Sequence, residues 1–175
     1  YLPLQKEGTL ALDIGANIGI VSLYLSKYFE EVISLEPSKQ NFECLVRNIV
    51  SNNATNITMY NNALYIKEGE FPFGGPDSNQ TMRSLHVATW QDGKHNEMVK
   101  AITIERLFET EKIEKVDFMK LDVEGSEVEI ISSAGFKRVA PKIELIVGES
   151  HSFAGRHPNQ IKEAFKNAGF DYEVV

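Results

Sequence analysis

The apolar run Thr9-Leu10-Ala11-Leu12-Asp13-Ile14 passes directly into Gly15-Ala16-Asn17-Ile18-Gly19. A short, almost uninterrupted apolar run suits a strand buried on both faces of a parallel sheet. Beyond Gly19 the spacing changes: Ile20, Val21, Leu23, Tyr24, Leu25, Tyr28 and Phe29 mark a largely buried helix. The chain therefore opens with strand, glycine-rich turn and helix. Gly15 allows a sharp turn and a close approach to a ligand, and Gly19 lets the next helix pack tightly against the sheet. The first amides of that helix have no partner within it and favour an anion.

The alternation continues. Glu31 to Leu35 reads as a second apolar strand, stopped at Glu36-Pro37, since a residue before proline avoids the helical region. Ser38 is placed to cap a helix whose apolar face is Phe42, Leu45, Val46 and Ile49. Ile57 to Tyr60 is a third strand, followed by Asn61-Asn62-Ala63. The βαβαβ order predicts an α/β, Rossmann-like fold with a mostly parallel sheet and helices on both faces. Leu64 to Val99 is irregular, and its turn-forming stretch Phe71 to Asp77 reads as an insertion over the ligand site. Ala101 to Ile104 is expected as a small strand, with a helix containing Leu107 and Phe108 after it. Val116 to Asp122 forms the fourth strand, Glu124 to Ala134 a helix closed by Gly135, and Lys142 to Glu149 the fifth strand. Pro158 to Ala168 is helical, and Tyr172 to Val175 begins a sixth strand.

With 175 residues, 42% hydrophobic and 25% charged, the chain is expected to form one domain over residues 1–175, cut short at both ends. A domain of this size buries about 70% of its unfolded surface and needs no disulfide or structural metal. The net charge of −7 argues against a nucleic-acid partner. The lone Cys44 cannot form an internal disulfide and is expected to be a buried, inert thiol. No run approaches the roughly 20 apolar residues of a membrane span, and no signal peptide is visible, so the expectation is a cytoplasmic protein.

Open parallel sheets bind ligands beyond the carboxyl ends of their strands. Asp13, Glu36, Asn62 and Asp122 fall on four such ends, and this register makes them converge on one crevice. An acid in the position of Glu36 can accept hydrogen bonds from both hydroxyls of a ribose. Asp13 would accept from an ammonium group or brace the turn. A dinucleotide fingerprint needs G-x-G-x-x-G, and from Gly15 this chain has Asn17 and Ile20 where the second and third glycines belong. A pyrophosphate is therefore disfavoured, and without Gly-Lys-Ser/Thr a P-loop is excluded.

At these residues the sequence resembles the FkbM family of methyltransferases. The blocks that carry the likeness are LDIGANIGIVSLYLS (12–26), ISLEPSKQNFECLVRNI (33–49), NNA (61–63), ITIERLF (102–108) and VDFMKLDVEGSEVEIISSA (116–134). The resemblance implies a class I methyltransferase fold and methyl transfer from S-adenosylmethionine, commonly to an oxygen of a sugar or secondary metabolite. It implies that Asp13, Gly15, Ala16, Asn17 and Gly19 line the methionine part of the cofactor and that Glu36, with Pro37, holds the ribose. Asn62 and Ala63 would border the adenine, and Asp122 would sit near the amino or sulfonium end. A small-molecule or glycan acceptor is then the expected partner, with homo-oligomerisation left open.

A hydroxyl acceptor benefits from a base or a metal that removes its proton. The candidates are Asp122, Glu124, Glu127, Glu149 and His151, of which Glu149 and His151 follow the fifth strand and are offered with Asp122 as catalytic. Glu124 and Glu127 are spaced to share a helix face. No dedicated metal site is expected; Mg²⁺ held by Asp122 and Glu149 is a second option. Two other functions compete: an NAD-type oxidoreductase on the same fold, and a non-catalytic module that binds S-adenosylmethionine or a partner.

Overall fold

The computed structural model describes residues 7–75, 84–85, 97–149 and 158–173. Strand β1 (Gly8–Ile14) leads through the glycine turn to α1 (Ile20–Leu25), β2 (Phe29–Leu35), α2 (Lys39–Ser51) and β3 (Ile57–Tyr60). A second group follows: β4 (Ala63–Leu64), β5 (Gly69–Phe73) and β6 (Glu97–Ile102). Then come α3 (Ile104–Thr110), β7 (Phe118–Leu121), α4 (Glu127–Ser132), α5 (Ala134–Val139), a 3₁₀ turn (Ala140–Lys142), β8 (Ile146–Gly148) and α6 (Pro158–Asn167).

β1, β2, β3, β7 and β8 form one five-stranded sheet in the order β3-β2-β1-β7-β8, every pair parallel. The order reverses at β1, so the crevice lies beyond the carboxyl ends of β1, β2 and β7. Both faces of the central strands are covered. Leu12, Ile14, Ile33, Leu35, Met119 and Leu121 pack in one cluster with Leu107, Ile130, Ile131, Phe136 and Ile161 from α3 to α6. On the other face Ala11, Val32 and Phe118 meet Leu25 of α1, while Leu45 and Ile49 of α2 close over Ala16. This is the α/β, Rossmann-like arrangement, with a parallel main sheet and helices on both faces, that the alternation of elements predicts.

Several expected boundaries move. Phe29 opens β2 rather than extending α1, and Ile104 starts α3 rather than ending a strand. The fourth and fifth strands shrink to β7 and β8, with Val116 and Ile143 joined only by an isolated bridge. The helix expected over 124–134 starts at Glu127 and breaks at Ser133, whose backbone is extended and whose hydroxyl accepts from Phe136 N to start α5. Gly135 therefore lies inside α5; a Cβ there would strike the Glu105 carboxylate of α3. Residues 171–173 form no strand, and Val174 and Val175 lie outside the described residues.

The stretch expected to be a turn-rich insertion forms a small second sheet in part. β5 pairs antiparallel and β4 parallel with β6, in the order β4-β6-β5. Pro72 is tolerated because β5 is an edge strand, where a missing N–H need not cost a ladder bond. Cys44 is half-buried rather than buried, and its Sγ accepts from Arg47 Nη2 at 3.0 Å. Among the described residues no helix is long and apolar enough to cross a membrane.

Candidate active site

A cleft of about 570 Å³ opens at the point where the strand order reverses, within the range typical of small-molecule sites. Its floor is the turn after β1, and it is lined by Gly15, Ala16, Asn17 and Ile18. Glu36 and Pro37 line it from the end of β2, and Asn62, Ala63 and Leu64 from the end of β3. Lys120, Asp122, Val123, Glu124 and Ser126 face it from β7 and the turn beyond, while Phe73 and Leu85 come from the small sheet's side. The region expected to be an insertion thus supplies part of the wall.

The turn after β1 uses three left-handed residues, Gly15 (φ 81°), Asn17 (φ 51°) and Gly19 (φ 87°). Their reasons differ from the sequence expectation. A Cβ on Gly15 would run into the Asp122 carbonyl, so this glycine lets the β1 turn lie against the β7 turn. A Cβ on Gly19 would meet the Leu45 side chain, so the close packing is against α2. Gly19 itself does not line the cleft.

Glu36 is 4% exposed, and both carboxylate oxygens are engaged. Oε2 accepts from Asn17 N at 2.8 Å and Oε1 from Ser38 N at 2.9 Å. Ser38 starts α2 by this backbone bond and not by the side-chain cap its identity suggests. Burial pushes the Glu36 carboxyl up from 4.5 to about 7, against the pull of the Ser38 and Asn17 amides, the Asn41 side chain and Lys120.

Asp13 does not reach the cleft. It is fully buried between the sheet and α1, and its Oδ2 accepts from Ser22 Oγ at 2.6 Å, which in turn accepts from Ser34 Oγ at 2.9 Å. These bonds tie the end of β1 to α1 and β2, and Asp13 does not line the cleft. Burial holds its carboxyl above the ordinary range, with Lys120 and Ser22 opposing. Lys120, which reading the sequence missed, is the only cation among the lining residues described. Its ammonium donates to the Gly15 carbonyl at 2.8 Å and lies 3.6 Å from Asp13 Oδ1 and 3.4 Å from Asp122 Oδ2. The signal was available. A lysine between Met119 and Leu121, opposite Asp13 in a strand buried on both faces, needs a charged partner.

Of the catalytic candidates, Asp122 and Glu124 line the cleft. Glu124 and Glu127 do not share a helix face, because Glu124 sits in a left-handed turn (φ 52°) before α4. Glu127 is 3% exposed, and its Oε1 accepts from Val123 N at 3.3 Å and Gly125 N at 3.1 Å. Glu149 lines a different groove, between β8 and α6, and not the cleft that holds Asp122. The register of β7 on β8 sets Leu121 beside Gly148, the residues just before Asp122 and Glu149; no group of three or more side chains that could hold a metal occurs among the described residues. His151 lies outside the described residues.

The methyltransferase FkbM domain matches residues 13–172. Among curated proteins the chain is 25% identical over 190 aligned positions to the methyltransferase sdnD of Sordaria araneosa, covering 91% of this chain and 73% of that one. It is 24% identical over 170 positions to the hexuronic acid methyltransferase AglP of Haloferax volcanii, covering 97% of this chain and 66% of that one. Among solved structures, a methyltransferase FkbM from Methylobacillus flagellatus superposes with a TM-score of 0.50 at 19% identity over 80% of this chain; the match spans 32% of that protein. A precorrin-6y C5,15-methyltransferase from Geobacter metallireducens superposes with a TM-score of 0.56 at 15% identity, over 97% of this chain and 67% of that one. The structures establish the fold, and the domain match over nearly the whole chain establishes the family: this chain belongs to the FkbM methyltransferases, whose methyl donor is S-adenosylmethionine.

Proposed function

We propose that the chain transfers a methyl group from S-adenosylmethionine to a hydroxyl oxygen of a sugar or secondary metabolite. The observation that carries this reading is the charge of the cleft wall. Two carboxylates, Asp122 and Glu124, and the Glu36 carboxyl, raised to about 7, face it against the single ammonium of Lys120. S-adenosylmethionine brings a sulfonium and an ammonium to such a wall, whereas NAD brings a pyrophosphate that it repels.

The residues present fit the cofactor. A carboxylate has about four lone-pair positions; Glu36 uses them for the amides of Asn17 and Ser38 and for the Asn41 side chain, which leaves an acceptor for a ribose hydroxyl. Asn62, Ala63 and Leu64 would border the base, and Lys120 and the Gly15 turn the methionine end. When bound, the cofactor supplies a methyl already activated on sulfur. The chain's task is then to align the acceptor oxygen with it. Asp122 and Glu124, which line the cleft past the end of β7, would orient that hydroxyl and receive its proton. The name of the Haloferax relative, a hexuronic acid methyltransferase, supports a sugar acceptor.

Calorimetry of S-adenosylhomocysteine and NAD across pH tests the cofactor. The first should bind and the second should not. Affinity should rise with pH through about 7, as Glu36 ionises and becomes the better acceptor. Glu36→Gln should bind about tenfold more weakly and flatten that profile. The same raised carboxyl has a consequence for the free protein: stability falls as pH rises from 4.5 to about 7, where only the folded state still binds this proton. NAD binding with no response to S-adenosylhomocysteine would overturn the reading. For the acceptor, labelled-methyl transfer to hexuronates and hydroxylated metabolites should give oxygen-linked product; transfer only to nitrogen or carbon would reject the O-methyl assignment.

A further inference from the structure

Ser126 immediately precedes α4, the position from which a serine ordinarily turns its hydroxyl onto a backbone amide of the first turn. Here it makes no such bond. The amides of the preceding turn go instead to Glu127, which takes Val123 N and Gly125 N. Ser126 is nevertheless 1% exposed, and its Oγ is buried with no hydrogen-bond partner. It is the one hydroxyl so left among the described residues. Ser22 and Ser34, equally buried, bond to Asp13 and to each other. A buried hydroxyl without a partner costs about as much as a lost hydrogen bond, and proteins rarely tolerate it. Ser126 also lines the cleft, so a molecule bound there can supply the missing partner.

We propose that Ser126 is a ligand-contact residue whose hydroxyl is held ready for the amino-acid end of the methyl donor. The inference rests on the S-adenosylmethionine reading above. The turn that carries Ser126 begins at Asp122, whose carbonyl lies against Gly15, the residue that opens the first turn. Ser126 thus belongs to the turn that meets the first turn at Gly15, the part of the cleft assigned above to the methionine end. A hydroxyl serves either charged group of that end, accepting from the ammonium or donating to the carboxylate.

The test compares the wild-type protein with Ser126→Ala by calorimetry and thermal melting, with two probes. S-adenosylhomocysteine carries the amino-acid end, and 5′-methylthioadenosine keeps the adenosine and thioether without it. Ser126→Ala should bind S-adenosylhomocysteine about tenfold more weakly, bind methylthioadenosine as the wild type does, and melt without ligand at the same temperature or slightly higher. The last expectation follows because the hydroxyl has no bond to lose in the free protein. Equal S-adenosylhomocysteine affinity, an equal loss for both probes, or a lower melting temperature without ligand would each overturn the assignment. Failure of the wild-type protein to bind S-adenosylhomocysteine would instead reject the underlying cofactor reading.

Discussion

Two turns meet at the floor of the cleft, and they reach the same end by different means. The turn after β1 bends at Gly15, Asn17 and Gly19, and the turn after β7 bends at Glu124 and Gly125. Each is held by a buried glutamate from just beyond it or from the next strand end: Glu36 receives Asn17 N, and Glu127 receives Val123 N and Gly125 N. The first turn advertises itself by glycines at positions where no side chain fits. The second places an ordinary residue, Glu124, in the strained conformation and keeps its side chain at the cleft. Strain at such a position persists only where the surroundings over-determine it and where the side chain has a use. The first turn is built for close approach of backbone, and the second for presenting polar side chains.

The largest expected effect breaks the contact between the two. Gly15→Ala must accommodate a Cβ against the Asp122 carbonyl at a φ of 81°. Neither backbone can yield without moving the other turn, so the variant should lose about 4 kcal/mol of stability in denaturant unfolding, together with S-adenosylhomocysteine binding. A loss below about 1 kcal/mol would show that the turns do not interlock. Next is the cation that ties them, Lys120, bonded to the Gly15 carbonyl and set between Asp13 and Asp122. Lys120→Met leaves the fully buried Asp13 with its serine alone. It should cost about 3 kcal/mol near pH 8. The deficit should shrink on acidification: the carboxyl of Asp13, already raised by burial, rises further without the ammonium, and its protonation in the folded state removes the uncompensated charge. A deficit that stays constant with pH would mean that Lys120 acts by packing.

The same contrast explains what the sequence revealed. β1 and β2 were legible because strands buried on both faces are written as apolar runs, and the first turn because positive φ selects glycine. The second turn was read as the start of one helix from Glu124 to Ala134. Its apolar spacing continues through Ser133, and nothing in that spacing reports that Ser133 caps a new helix or that Glu124 is left-handed. Gly135 looked like a helix stop, yet its cause is the Glu105 carboxylate packed against it from α3, a neighbour distant in sequence. Pro72 argued for a turn because a single sequence does not show that its strand lies at a sheet edge. The role of Asp13 depended on which way one side chain points, and Ser22 and Lys120 decide that from elsewhere in the chain.

The smallest effect isolates the strain itself. Removing the Glu124 side chain forfeits whatever it contacts, so the informative comparison is between two truncated variants that both lack it. In Glu124→Ala the left-handed backbone must still carry a Cβ, and in Glu124→Gly it need not. The glycine variant should therefore be more stable than the alanine variant by about 1 kcal/mol, against the usual direction for this pair, in which glycine loses more entropy on folding. Asn17, left-handed at a φ of 51° in the first turn, supplies the internal control. Asparagine tolerates that region, and the same Ala-to-Gly difference is expected there. If alanine proves the more stable at position 124 while glycine wins at position 17, the second turn is free to relax, and its left-handed geometry is not what presents Asp122, Glu124 and Ser126 to the cleft. If glycine wins at both, the two turns are equally rigid, and the natural glutamate at position 124 is kept against a cost in stability for what its side chain does.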